Sequence, residues 1–484
     1  MNKNSNNLSI ISGLLWKFGE RIVAQAISLI VSIILARLLS PDDYGVVAMV
    51  MVFITIANVF VSNGFGNALI QKKNADNLDF SSVFWINIVI GILIYIVLFY
   101  TAPMIAIFYN MPMLKNILRV LGIRIIVASF NSVQQAYVSR NMLFKRFFLS
   151  TLFGTLVSGV VGVTMAYRGG GVWSLVTQYL VNTCTDTLVL WFTVKWRPDF
   201  KCSLLRAREL FRFGWKLLVS GLLDTGYTQL RSLIIGKTYS ASDLAYFNQG
   251  DKYPCFIVVN INASIQSVLY PAMAMNQDNR EKVKQMTRRS IQVSSYLMWP
   301  LMIGFAAIAE PFVRIVLTDK WLPCVPFIRI FCLTYGLWPI HTANLQAVNA
   351  LGRSDLFLKL ELVKKFTGVL VILITIRYGV LVMAYGIIIT DIVGMFINAY
   401  PNAGLLGYTY REQLKDLVPG LLMALVMGAI IYPLSLLDIS DYVIILIQIV
   451  SGSAIYWLIS VIINFGTFRY LKGLLRDFIH LKKR

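Results

Sequence analysis

The sequence predicts an all-α polytopic membrane protein. About fourteen transmembrane helices form two pseudo-symmetric six-helix bundles, with two more helices at the C-terminal end. Three observations carry this reading: the length and number of apolar runs, the sidedness of the cations, and an internal repeat. The 484 residues are 57% hydrophobic and only 14% charged, with a mean hydropathy of +0.69. Soluble domains are nearer ~45–50% apolar and about 25% charged. A span needs roughly 20 apolar residues, so the chain has room for a dozen or more.

Fourteen runs qualify: 14–38, 44–70, 80–107, 114–138, 147–167, 172–194, 215–236, 244–274, 291–317, 324–348, 356–376, 380–404, 417–436 and 442–465. The seventh, eighth and tenth are the least apolar. The N-terminal stretch contains Glu20 and Arg21 within its apolar run and lacks a small-residue cleavage site. It is expected to be a cytoplasmic tail rather than a signal peptide. No hydrophilic stretch is long enough for an attached soluble catalytic domain of ~50 residues or more.

The 44 Lys and Arg residues against 23 Asp and Glu give a net charge of +21. With the N-terminus in the cytoplasm, 32 cations sort to the cytoplasmic side, eight to the outer side, and four (Arg124, Arg231, Lys252 and Arg329) fall within spans. The cytoplasmic set includes Lys359, Lys364 and Lys365. This bias is the one expected of an even number of spans with both termini inside. It accounts for the charge without nucleic acid, for which no basic domain exists. The longest polar connection, 195–212, is basic, with Leu204, Leu205, Leu210 and Phe211 as its apolar side. It reads as an amphipathic surface helix joining two halves, or as a solvated linker.

The repeat aligns the first span with the seventh. Trp16-Lys17 matches Trp215-Lys216, Ala36-Arg37 matches Gly236-Lys237, Ser40 matches Ser240 and Asp43 matches Asp243. Six spans is an even number, so the two copies share one orientation, as in transporters built from parallel repeats. The expected organisation is a bundle over 1–195, a linker over 196–213, a second bundle over 214–405, and two helices with a basic tail over 406–484. Two bundles facing a common cleft give a secondary transporter or flippase.

Neither catalysis nor metal binding has a motif. His341 and His480 are far apart, and the five cysteines form no CxxC pair. What stands out is polarity inside spans, where a charge costs about 2.5–3.5 kcal/mol or more. The expected cavity residues are Arg21, Gln25, Asn58 and Asn63 in the first repeat, Arg124 in the fourth span, and Arg231, Asn248 and Lys252 in the second repeat. Asp186 and Asp391 are buried anions. Asp224 and Asp391 are expected to couple transport to an ion gradient, since a buried carboxylate can change protonation state. Each has a structural alternative: Asp224 with Arg231 as an ion pair, Glu20-Arg21 as an interfacial anchor, in-span Asn and Ser as helix glue. Arginine and lysine in a wet cleft suit phosphate, and Asn and Gln suit sugar hydroxyls.

Several stretches, in order, resemble one family: LARLLSPDDYGVVAM, GFGNALIQKK followed by FWINIVIG, SRNMLFKR, LTDKWLPCVPFIRI and NALGRSDLFLK. Together, over about 14–365, the chain resembles Wzx-like polysaccharide and O-antigen flippases. These lie within the multidrug/oligosaccharidyl-lipid/polysaccharide (MOP) exporter superfamily, whose architecture is MATE-like. The resemblance implies a bacterial inner-membrane protein that flips undecaprenyl-diphosphate-linked oligosaccharide from the cytoplasmic to the periplasmic leaflet for exopolysaccharide, capsule or O-antigen. It also implies no bound cofactor, coupling to a proton or sodium gradient, and glycan polymerase and export proteins as partners. A cation-coupled multidrug antiporter would place more acidic groups in the cleft. A membrane glycan polymerase or glycosyltransferase would need catalytic groups in a sizeable outer loop, and a passive scaffold would not need the polar cleft.

Overall fold

A computed structural model describes residues 23–482. Those residues are mostly helical, with no strand among them. Trp16, Lys17 and Arg21 lie outside the described residues. The chain divides into two compact units, one ending at Ala245 and one beginning at Tyr246.

The first unit contains α1 (Val23–Leu38), α2 (Pro41–Ser62), α3 (Phe65–Gln71), α4 (Asn77–Phe108), α5 (Met113–Arg140), α6 (Phe144–Tyr167), α7 (Val172–Thr193) and α8 (Leu204–Thr238). The boundary falls early in α9 (Ala241–Ala274). The second unit continues with α10 (Arg280–Leu317), a 3-10 turn (Asp319–Cys324), α11 (Val325–Ala350), α12 (Ser354–Thr375) and α13 (Val380–Leu406). It ends with α14 (Tyr410–Ile431), a 3-10 turn (Tyr432–Leu436), α15 (Asp441–Ile462) and α16 (Gly466–Lys482).

Among the described residues, each of the fourteen apolar runs falls on a helix, the first of them from Val23 on. Nine segments among the described residues are long and apolar enough to cross a membrane on their own composition. The protein is therefore a multi-pass helical membrane protein. The remaining five runs fall on α1, α5, α7, α8 and α12, which are shorter or more polar than that limit. The 44–70 run is two helices, α2 and α3, parted at Asn63–Gly64. The carbonyl freed there, on Val61, accepts hydrogen bonds from Ser132 Oγ at 2.9 Å and Asn87 Nδ2 at 3.4 Å. Within hydrocarbon such a group needs an internal partner.

Helix starts follow local chemistry. Ser40 caps α2 with Pro41 next. Asp43 N donates to Ser40 Oγ at 3.2 Å, and Ser40 N donates back to Asp43 Oδ2 at 3.0 Å. This reciprocal capping box satisfies two orphan donors. Two hundred residues on, Asp243 N donates to Ser240 Oγ at 3.1 Å and Ser240 N to Asp243 Oδ2 at 3.2 Å. The repeat seen in sequence is thus a repeat of the same cap. Within the first unit the two caps meet. Ser242 Oγ donates to Asp42 Oδ1, and a Cβ on Gly45 would stand 1.8 Å from the Ala241 carbonyl oxygen. Asp76 caps α4 in the same manner, and the Asp79 N–H it accepts holds its carboxyl below the usual carboxylate range.

The packing order repeats too. In the first unit α5 lies on α4 and α7, and α6 pairs with α7; in the second α11 lies on α10 and α13, and α12 pairs with α13. The turns after α5 and α11 are built alike. Met142 N donates to Ser139 O and Leu143 N to Val138 O. Gly352 N donates to Asn349 O and Arg353 N to Val348 O. Both turns need a positive φ, 53° at Met142 and 73° at Gly352. The left-handed region costs a side-chain-bearing residue about 1–2 kcal/mol. Met142 is 75% exposed, so its side chain contributes little packing in return. Met142→Gly therefore stabilises the protein by about 1 kcal/mol, and Gly352→Ala destabilises it by about 1 kcal/mol. Thermal unfolding in detergent checks both signs.

Two parts of the chain differ from the sequence reading. Residues 195–203 are not helical; they form a strap across the start of α4, and only from Leu204 does α8 begin. Trp196 Nε1 donates to Asn77 Oδ1 at 2.6 Å, Trp85 Nε1 to Asp199 O at 2.9 Å, and the Asp199 and Ser203 amides to Ser81 and Ser82 at 2.9 Å each. These tryptophan and serine contacts lie more than a hundred residues away along the chain, so no local pattern announces them. The tail is also a helix, α16, rather than only a basic extension.

Motif residues of the resemblance take structural posts. Arg140 donates to the carbonyls of Leu69 (2.8 Å), Lys72 (2.6 Å) and Lys73 (2.8 Å), closing the end of α3. Trp321 is fully buried, edge-on to Tyr246 at 6.0 Å.

Candidate functional site

Three helices of the first unit present polar residues at helical spacing. On α2 these are Thr55, Asn58 and Ser62; on α5, Arg124, Asn131 and Gln135; on α7, Asn182, Thr183 and Asp186. Positions three, four, seven or eleven apart share a helix face. The three stripes enclose a cavity of about 260 Å³.

Arg124 lies near the middle of α5. Its Nε donates to Thr183 Oγ1 at 2.7 Å, and that hydroxyl donates to Tyr179 O at 3.1 Å. The guanidinium sits 5.4 Å from the Tyr179 ring centroid, with Nη1 3.8 Å from Met51 Sδ. Among the described residues no carboxylate forms an ion pair with it within 4 Å. Asp186 lines the same cavity but accepts from Asn131 Nδ2 at 2.7 Å instead. The guanidinium is thus oriented by a hydroxyl and a ring while keeping donors available. Asn58 and Ser62 are exposed at the rim. Such a site can hold an anion beside hydroxyl-bearing groups.

Of the residues expected from sequence, the structure brings Asn58 and Arg124 together in this cavity. Gln25 is half-buried on α1. Asn63 stands at the α2–α3 break, where a Cβ on Gly221 of α8 would lie 2.4 Å from its Nδ2. Arg231 is half-buried and Asp224 exposed on α8, outside the cavity. Asn248, Lys252 and Asp391 belong to the second unit: Asn248 and Asp391 half-buried, Lys252 exposed. Arg21 is outside the described residues.

Sequence reasoning passed over Asn131, Asn182 and Thr183, whose signal is only their register with Arg124 and Asp186. It also discounted His341. In the second unit, Asn398 Nδ2 and His341 Nδ1 stand 2.9 Å apart, joining α13 to α11. Below them Asn402 Nδ2 donates to Asn344 Oδ1 at 2.7 Å, and Asn344 Nδ2 to Gln413 Oε1 at 2.9 Å. Lys364, sorted to the cytoplasm by sequence, lies about three turns into α12. There it pairs with Glu361 at 2.5 Å and packs against Gly394 of α13.

Residues 34–326 match the profile of a family described as Polysaccharide biosynthesis protein. The chain belongs to that family. It is similar to the Lipopolysaccharide biosynthesis protein WzxC of Escherichia coli, 22% identical over 411 residues covering 84% of each chain. It is also similar to the Succinoglycan biosynthesis transport protein ExoT of Rhizobium meliloti, 25% identical over 304 residues, covering 63% of this chain and 62% of that one. Among solved structures it resembles the Lipid II flippase MurJ in its inward closed conformation. The TM-score is 0.76 at 14% identity, over 93% of this chain and 98% of that one. At that identity the likeness speaks for the fold, and it agrees with the architecture expected from the sequence.

Proposed function

We propose that this polysaccharide biosynthesis family member is a flippase for lipid-linked sugars. In the finer reading, it moves undecaprenyl-diphosphate-linked oligosaccharide from the cytoplasmic to the periplasmic leaflet of the bacterial inner membrane by alternating access, supplying exopolysaccharide, capsule or O-antigen synthesis. The observation that carries this reading is Arg124: a mid-span guanidinium without a carboxylate partner among the described residues, in a polar cavity. A permanent cation held in a membrane interior is costly unless it serves an anion. Diphosphate supplies that anion, and the Asn, Gln, Ser and Thr rim suits the hydroxyls of a glycan.

WzxC is named for lipopolysaccharide biosynthesis and ExoT for succinoglycan biosynthesis and transport, which supports a transport role rather than an enzymatic one. The cation bias supports cytoplasmic termini. A proton or sodium gradient would drive the cycle through a carboxylate; Asp224 and Asp391 stand for that role, and Asp186 joins them by sharing the Arg124 cavity. Glycan polymerase and export proteins would take the product.

The test is deletion of the gene in its native host. Lipid-linked repeat units then accumulate on the inner leaflet, and the wild-type chain restores their export. Normal surface glycan after deletion, with no accumulation, would end the proposal.

A further inference from the structure

A second cavity, of about 1110 Å³, lies within the second unit, walled by α9, the first four turns of α10, the start of α14, and α16. Its lining joins two chemistries. Apolar residues are Ile265, Leu269, Met286, Val293, Phe465 and Leu471, and cations are Lys282, Arg288, Arg289 and Lys415. On α10 the two kinds alternate along one face, at 282, 286, 289 and 293.

One carboxylate, Asp416, lines it, and that group is already taken. Arg288 grips Asp416 with Nε at 2.7 Å and Nη2 at 3.0 Å, while Gln292 and Tyr408 donate to it at 2.7 and 2.9 Å. The other three cations have no ion pair among the described side chains. Arg289 is held in place by stacking, its guanidinium 3.9 Å from the Tyr470 ring of α16. Ser290 also lines the cavity, and its Oγ is buried without a hydrogen-bond partner among the described residues. The helix covering the cavity carries Arg469, Lys472 and Arg476 beside Phe468 and Leu471. That is the pattern of a helix lying in a membrane interface.

Unpaired cations, a spare hydroxyl and apolar side chains lining one cavity fit an amphiphile with an anionic head. We propose that the cavity between α10, α14 and α16 binds a lipid-borne phosphate, with Lys282, Arg289, Lys415 and Ser290 meeting the headgroup and the apolar side chains of the lining meeting the lipid chain. Such basic pockets between spans are recognised sites for anionic head groups. The proposal does not depend on the chain's being a flippase. The phosphate can come from a resident anionic phospholipid or from a polyprenyl diphosphate.

The experiment uses the full chain in phosphatidylcholine nanodiscs, titrated separately with phosphatidylglycerol and with undecaprenyl diphosphate, and reads bound lipid by native mass spectrometry. At least one of the two binds in preference to phosphatidylcholine, and which binds more tightly identifies the source. The variant Lys282→Ala/Arg289→Ala/Lys415→Ala loses about tenfold or more in that binding. Ser290→Ala, which leaves every charge in place, loses a smaller part. As a control, Arg208→Ala/Arg212→Ala/Lys216→Ala removes three exposed cations at the start of α8 and leaves binding unchanged. Equal losses in the two triple variants would reduce the effect to net charge and overturn the site, as would retention of phosphatidylcholine equal to that of both anionic lipids.

Discussion

On the proposed function, replacing Arg124 with alanine lowers translocation of lipid-linked oligosaccharide by about one to two orders of magnitude while the protein stays in the membrane at wild-type level. A hydrogen bond to a charged group contributes about 1.5–3 kcal/mol, and each 1.4 kcal/mol is a factor of ten. The loss is not offset by relief of a broken ion pair, because no carboxylate pairs with Arg124 among the described residues. Arg124→Lys retains part of the activity: it keeps the charge but loses the fork that bonds Thr183 while facing the cavity. The measurement is the inner-leaflet pool of lipid-linked repeat units in a deletion strain carrying each variant. Full complementation by Arg124→Ala would remove this cavity from the transport path.

The second large effect is on stability. Asp416 has a side chain only 4% exposed and receives four hydrogen bonds, two from Arg288 and one each from Gln292 and Tyr408. Asp416→Ala leaves the donors of three side chains aimed at an empty place, one of those side chains charged. Breaking a buried pair on one side costs about 3–5 kcal/mol. Arg288 is 46% exposed and can turn toward water, so about 3 kcal/mol is expected. Asp416→Asn, which keeps one acceptor, costs less. A fluorescence thermal-shift series in detergent reads the order wild type, Asn, Ala; an alanine variant as stable as wild type would contradict it.

The fold was legible because membrane spans announce themselves by length and hydropathy, and because a cap is local chemistry. Ser40 with Asp43 and Ser240 with Asp243 could be matched on the page, and they form the same box in space. The strap over 195–203 could not be read, because Trp196 and Asp199 find their partners on α4, more than a hundred residues distant. The α16 helix was hidden by its charge, which reads equally as a solvated tail until Phe465 stacks on Tyr296 at 5.6 Å.

The site was half legible. Arg124 and Asn58 stood out as polar groups in apolar runs. Asn131 and Thr183 did not, since uncharged polar residues in spans usually join helices. Only the mutual register of α2, α5 and α7 separates the two roles. His341 lacked any sequence neighbour, and its partner Asn398 arrives from α13.

The interruption at Asn63–Gly64 bears on motion. An intact span resists bending because each turn locks the next. Here the carbonyl of Val61 is held by side chains from α4 and α5, so α3 can pivot on α2 without baring that oxygen to hydrocarbon. Ser62 is both the last residue of α2 and part of the rim around Arg124. The joint and the mouth of the Arg124 cavity thus share a residue, so a change in backbone course at Asn63–Gly64 is felt at the cavity's edge.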